Sequence, residues 1–89
     1  MTLVLYTRRG CHLCEEAEDV LAGMGRAVAV VDVDADPAAN SAYGLRVPVL
    51  AAGGRVLMEG RFDPRRLARL LSEAEVQPAA GEGVDEAGG

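Results

Sequence analysis

Lysine and tryptophan are absent from this 89-residue chain, histidine occurs once and cysteine only twice. Without lysine, the nine basic residues are all arginines, spread singly or in pairs among fourteen acids for a net charge of −5. No basic stripe forms. With only Tyr6, Tyr43 and Phe62 as aromatics, the chain also lacks the stacking platforms that single-stranded nucleic acid needs beside a positive groove. This argues against nucleic acid as a partner. No apolar run approaches the roughly 20 residues of a membrane-spanning helix. Met1 leads into a strand-like segment rather than a basic and then hydrophobic leader, so no membrane association is expected and the reducing cytoplasm is the expected compartment.

Two cysteines three positions apart cannot supply the several long-range staples of a small secreted domain. In a reducing compartment such a pair is expected to cycle between thiol and disulfide, or to hold metal, rather than to brace the fold as a purely structural pair. The length suffices for one domain and leaves no room for a second. Apolar residues make up 49% of the chain, and with so few aromatics the core must be mostly Val, Leu and Ala. That composition suits a small sheet covered by helices.

Thr2-Leu3-Val4-Leu5-Tyr6 reads as a buried central strand that runs into the turn Thr7-Arg8-Arg9-Gly10. From Cys11 onward, Leu13, Ala17, Val20, Leu21 and Met24 recur on one face of a helix, with Glu15, Glu16, Glu18 and Asp19 on the wet face and Gly23 and Gly25 at its end. Ala27 to Val33 is apolar except for Asp32, the pattern of a strand buried on both faces in a parallel pair. Asp36 and Pro37 open a short helix that runs to Tyr43 and closes at Gly44. Val47–Ala51 and Arg55–Glu59 form a hairpin through Gly53-Gly54. Asp63-Pro64 begins a last helix with Leu67, Leu70, Leu71 and Ala74 as its apolar stripe. This places the domain at residues 1–76. Residues 77–89 hold four glycines and three acids but only one branched aliphatic, Val84, and are expected to form a disordered acidic tail. The rest then carries 11 acids against 9 arginines.

Thiol–disulfide exchange needs an accessible thiolate to attack and a second thiol near enough to release the mixed disulfide. Cys11 stands at the predicted helix start, where unpaired backbone N–H groups favour a negative sulfur, and Arg8 and Arg9 add to that field. Glu15 and Glu16 pull the other way. Cys14, one turn inside, reads as the less exposed, resolving thiol. A C-x-x-C pair also occurs in haem and zinc sites, but haem attachment wants a His where Glu15 stands. Zinc wants four ligands, and only Cys11, His12 and Cys14 are clustered, so no metal is assigned. His12 reads first as a solvent-facing residue of the loop, and second as a cation that helps hold the thiolate when protonated. Arg8 and Arg9 have the plain reading of surface charges.

The element order, together with Tyr6-Thr7-Arg8-Arg9-Gly10-Cys11-His12-Leu13-Cys14-Glu15-Glu16-Ala17, resembles the glutaredoxin and thioredoxin superfamily, and most closely its short bacterial glutaredoxin-like proteins. That resemblance implies an α/β thioredoxin-like fold, β1α1β2α2β3β4α3, with a four-stranded mixed sheet in order 2-1-3-4. Helices 1 and 3 would lie on one face and helix 2 on the other. It also implies that Val47-Pro48 is a cis-proline step beside the cysteines, although cis bonds make up only about 5–6% of X–Pro bonds in general. The plain alternative is a trans proline opening an edge strand. Glutaredoxins that bind glutathione well carry Pro and an aromatic between the cysteines, a Lys before them and Gly-Gly-x-Asp near the last helix. Here those positions read His12-Leu13, Arg8 and Gly60-Arg61-Phe62-Asp63. Arg8 keeps the charge and Asp63 the acid, so glutathione stands as a possible co-substrate.

The leading expectation is a monomeric dithiol oxidoreductase acting on protein disulfides or glutathione mixed disulfides without a resident cofactor. Cys11 attacks, Cys14 resolves, and Arg8, His12, Val47, Pro48 and Asp63 shape the substrate site. A second expectation is a non-enzymatic binding or redox-sensing module on the same fold. A metal or iron–sulfur carrier is the third.

Overall fold

Strand β1 (Leu3–Thr7) alternates between two faces, with Leu3, Leu5 and Thr7 buried and Val4 and Tyr6 half-buried. In the computed structural model, which describes residues 2–76, it is a central strand. It pairs in parallel with β2 (Ala29–Asp32) and antiparallel with β3 (Val49–Ala52), which in turn pairs antiparallel with β4 (Arg55–Glu59). The sheet order is β2-β1-β3-β4, as the resemblance implied. The expectation for residues 77–89 lies outside the described residues.

Helix α1 (His12–Gly23) connects β1 to β2, α2 (Pro37–Tyr43) connects β2 to β3, and α3 (Pro64–Val76) follows β4. Leu3 and Leu5 of β1, Leu50 and Ala52 of β3, and Met58 of β4 share one face of the sheet. Ala17 and Leu21 of α1 and Leu67 and Leu71 of α3 pack onto that face together with Phe62. Each leucine fully buried there contributes roughly 1.5–3 kcal/mol. The opposite face is covered by α2, where the Tyr6 and Tyr43 rings lie 4.5 Å apart.

The local chemistry fixes the ends of these elements. After α1, Gly25 takes φ 69°, its N–H bonds to the Ala22 carbonyl, and the Arg26 N–H returns to the Leu21 carbonyl. This double closure needs a residue tolerant of positive φ. Asp36 Oδ1 accepts from the N–H groups of Ala38 and Ala39, and Asp63 Oδ1 accepts from those of Arg65 and Arg66. Both aspartates precede a proline at the first helical position, where a missing N–H costs nothing. Gly53 and Gly54 take φ 58° and 80°, the two positive values of the tight hairpin turn that fits twisted strands.

Two expectations are corrected. The strand read as Ala27–Val33, buried on both faces, is the four-residue edge strand β2, with Val30 54% exposed. Position in the sheet decides its exposure: an edge strand of small residues lies at the margin of the helical cover, and an apolar run carries no signal for that. Val33 leaves the strand for a short 3-10 turn (Val33–Ala35) and is itself fully buried. The strand expected from Val47 begins at Val49, because Pro48 has no N–H for the ladder; the Val47–Pro48 bond is cis.

Candidate active site

The carboxyl ends of β1, β2 and β4, the start of β3 and the N-termini of α1 and α3 all gather at one end of the sheet. This follows from the pairing: Tyr6 is opposite Val49, so the antiparallel register carried one step further sets Thr7 opposite Pro48. The turn leading to the cysteines and the Val47–Pro48 step therefore leave the sheet side by side.

Cys11 is the N-cap of α1, with extended backbone angles (φ −91°, ψ 110°), and its Sγ accepts the Cys14 N–H at 3.2 Å. A sulfur thus occupies the place where a cap oxygen usually sits, facing the unpaired N–H groups and positive end of the helix dipole. Cys11 is half-buried and Cys14 only 1% exposed, both as free thiols. Burial, first, and the hydrogen bond to the Cys11 side chain, second, push the Cys14 thiol up to about 11, while a hydrogen bond from the Arg8 backbone works against them. Cys14 is thus a thiol that keeps its proton, beside the sulfur that caps the helix. It opens onto a cleft of about 380 Å³ that Arg9, Glu15, Glu18 and Asp32 also line.

The other anticipated residues separate into groups. Val47 is half-buried and Pro48 buried. The Pro48 carbonyl accepts the Gly60 N–H at 3.0 Å, whereas neither the N–H nor the carbonyl of Val47 has a partner among the described residues. Its backbone is free to pair with an extended chain. Arg8 is engaged with the protein itself: Nε and Nη2 grip the Asp34 carboxylate at 3.0 and 3.1 Å, and Nη1 donates to the Gly44 carbonyl at 2.9 Å. These contacts with Asp34 hold its guanidinium above its usual range. Asp63 is occupied as the cap of α3. His12 is 82% exposed and directs Nε2 to Glu16 at 2.9 Å, one turn along the helix.

The scan against known families finds the Glutaredoxin-like domain (DUF836) over residues 2–72. The chain belongs to this glutaredoxin-like family. Among solved structures, this glutaredoxin-like chain is similar to protein XcR50 from X. campestris, at 44% identity and TM-score 0.72, over 81% of this chain and 97% of that one. It is also similar to a mutant thioredoxin from Halobacterium salinarum, at 34% identity and TM-score 0.61, over 81% and 72% of the two chains. A glutaredoxin from Brucella melitensis, at 22% identity and TM-score 0.58 over 85% and 84%, shares the fold. A glutaredoxin-like chain of thioredoxin fold is therefore a redox-related module.

Residues that sequence reasoning left aside complete the site. Asp34 and Gly44 anchor Arg8, and Asn40 Nδ2 adds a hydrogen bond to Asp34. Arg46 grips Glu59 through Nε at 3.1 Å and Nη2 at 2.7 Å, and its guanidinium lies 5.4 Å from the centre of the Tyr43 ring. The partners of Arg8 and Arg46 are 26 and 13 residues away in the chain, so no local spacing announces them. Among the described residues no cluster of three or more His, Cys, Asp or Glu side chains is disposed to hold a metal ion, and no helix is long and apolar enough to cross a membrane.

Proposed function

We propose that this glutaredoxin-like chain is a dithiol oxidoreductase that reduces disulfides, with Cys11 as nucleophile and Cys14 as resolving thiol. One observation carries the reading: the half-exposed Cys11 sulfur caps a helix and accepts the backbone N–H of the buried Cys14, one turn behind it, at 3.2 Å. The Cys11 thiolate attacks one sulfur of the substrate disulfide, forms a mixed disulfide and expels the other substrate sulfur as a thiolate. Cys14 then loses its proton into the cleft lined by Glu18 and Asp32. It attacks Cys11 Sγ, closes the Cys11–Cys14 disulfide and releases the second substrate thiolate. Two electrons pass from the pair to the substrate, and an external dithiol donor restores the pair.

The order of the two steps agrees with the environment of Cys14, whose proton is held on first by burial and second by its hydrogen bond to the Cys11 side chain. Val47, with its unpartnered backbone, and Pro48 form the wall against which the substrate lies.

The test is turnover of a mixed disulfide by wild type, Cys11→Ser and Cys14→Ser. The first substitution abolishes exchange, and the second leaves at most monothiol activity on glutathione mixed disulfides. Equal activity of all three contradicts the proposal. A binding or redox-sensing module gains some support from the internal engagement of Arg8, whose guanidinium is held by Asp34 and Gly44. Partner capture by a well-folded protein with no turnover would select it. With the enzymatic reading go a cytoplasmic location, action as a monomer and disulfide substrates. Nucleic acid, membrane, metal and a resident cofactor have no part in it.

A further inference from the structure

Leu45 is 101% exposed, as open as a leucine in an unfolded chain, yet both of its neighbours are hydrogen-bonded into the fold. On its N-terminal side, buried Gly44 donates its N–H to the Asn40 carbonyl at 2.8 Å and offers its own carbonyl to Arg8. On its C-terminal side, the Arg46 N–H closes a turn onto the Tyr43 carbonyl at 2.8 Å, and the Arg46 side chain is fixed by Glu59 and the Tyr43 ring. A lone exposed leucine on a loose loop needs no explanation. Here the backbone is anchored on both sides, so its projection is imposed by the fold.

The segment is joined to the cysteine turn. Arg8 accepts the Cys11 N–H on its backbone carbonyl at 3.3 Å while its guanidinium holds Gly44. Two residues beyond Leu45 stands Val47, whose backbone is free to pair with an extended chain. An extended chain advances about 3.3 Å per residue, so we take a polypeptide laid along Val47 with its cysteine at Cys11 to bring its flanking residues within reach of Leu45. The charges next to the segment point the same way. Arg8 and Arg46 are each held by a carboxylate within the protein, at 3.0 and 2.7 Å, and each would have to share or give up that partner to bind a carboxylate of glutathione.

We propose that Leu45 is a specificity-determining residue, and that the preferred substrate is a protein disulfide whose cysteine is flanked by apolar residues rather than glutathione disulfide. The inference rests on the oxidoreductase reading and adds a substrate class to it. Leu45 supplies apolar area that is buried only when such a chain is bound, so it acts on kcat/KM for that class alone.

The experiment compares two synthetic peptides, identical except for leucine or serine at the positions flanking a single cysteine held as a mixed disulfide with 2-mercaptoethanol. Bis(2-hydroxyethyl) disulfide serves as a substrate without flanks. Wild type is expected to favour the leucine peptide about tenfold in kcat/KM, the equivalent of about 1.4 kcal/mol and less than the full burial of one leucine. Leu45→Ser removes that preference, Leu45→Met restores it, and turnover of bis(2-hydroxyethyl) disulfide stays the same in all three. Equal preference for the leucine peptide in wild type and Leu45→Ser overturns the inference, as does an equal loss on all substrates. If wild type turns over none of the three disulfides, the oxidoreductase reading fails, and this inference with it.

Discussion

Replacing Gly44 with alanine tests how the substrate loop is held. A Cβ built on Gly44 falls 2.6 Å from the Asn40 carbonyl oxygen and 2.9 Å from Asn40 Oδ1, whereas ordinary contact begins near 3.4 Å. About 0.8 Å must be found, and it cannot be found cheaply. The obstructing oxygen belongs to the α2 backbone and accepts the Gly44 N–H at 2.8 Å, so relieving the clash stretches the bond that ends the helix. Overpacking of this kind costs about 1–3 kcal/mol. For a domain of this size that lowers Tm by roughly 4–8 °C per kcal/mol. The displaced Gly44 carbonyl also weakens its bond from Arg8, so kcat/KM for peptide disulfides falls further than for a small disulfide. Gly23→Ala is the matched control: a Cβ there meets nothing within 4 Å, and alanine is the better helix former by roughly 1 kcal/mol. Thermal unfolding of both variants by circular dichroism, with turnover measured beside it, gives opposite shifts in Tm. An unchanged or raised Tm for Gly44→Ala refutes the reasoning.

The raised Cys14 thiol has a signed consequence for the reduced protein. Below the ordinary thiol value of about 8.5 both folded and unfolded states keep the proton, and the contribution is fully present. As pH rises from there to about 11 the unfolded chain gives up the proton before the folded one, so stability falls across that window. Denaturant melts of reduced wild type should decline through that range more steeply than those of Cys14→Ala, and parallel slopes count against it. Leu67→Ala, in the middle of the core, should cost about 2–5 kcal/mol in the same melts. Leu45→Ala should stay within about 0.5 kcal/mol, and similar losses at both positions would show that burial has been misread. Asp63→Ala should cost about 1 kcal/mol through the lost cap, whereas Asp63→Asn keeps an acceptor and the stability. If Asp63→Asn folds normally but loses turnover of a glutathione mixed disulfide, Asp63 serves substrate as well as the helix.

The elements were legible because their signals are local. The aspartate and proline pairs at 36–37 and 63–64, the glycines at 53–54 and the spacing from Leu13 to Met24 each state their structure within a few residues. The order of strands in the sheet came from the resemblance, and with it the cis Val47–Pro48 step. What escaped is what depends on distant pairing. The Ala27–Val33 run reads as buried on both faces, yet β2 is only four residues long and its Val30 meets solvent. Arg8 looked like a free charge for substrate because Asp34 and Gly44 reach it only after α2 has folded over the sheet. Asp63 was legible as a cap from its neighbouring proline, and that local use is the one the structure displays. The exposure of Leu45 had no signature at all, since a leucine between Gly44 and Arg46 reads equally well as core.

The central claim is that Cys11 makes the first covalent bond and Cys14 breaks it, and trapping tests it most directly. Reduced Cys14→Ser is mixed with a peptide disulfide, quenched in acid and mapped by mass spectrometry. The account predicts a one-to-one adduct joined through Cys11 that persists until free thiol is added, with no such adduct accumulating in wild type. An unmodified Cys11 would contradict it.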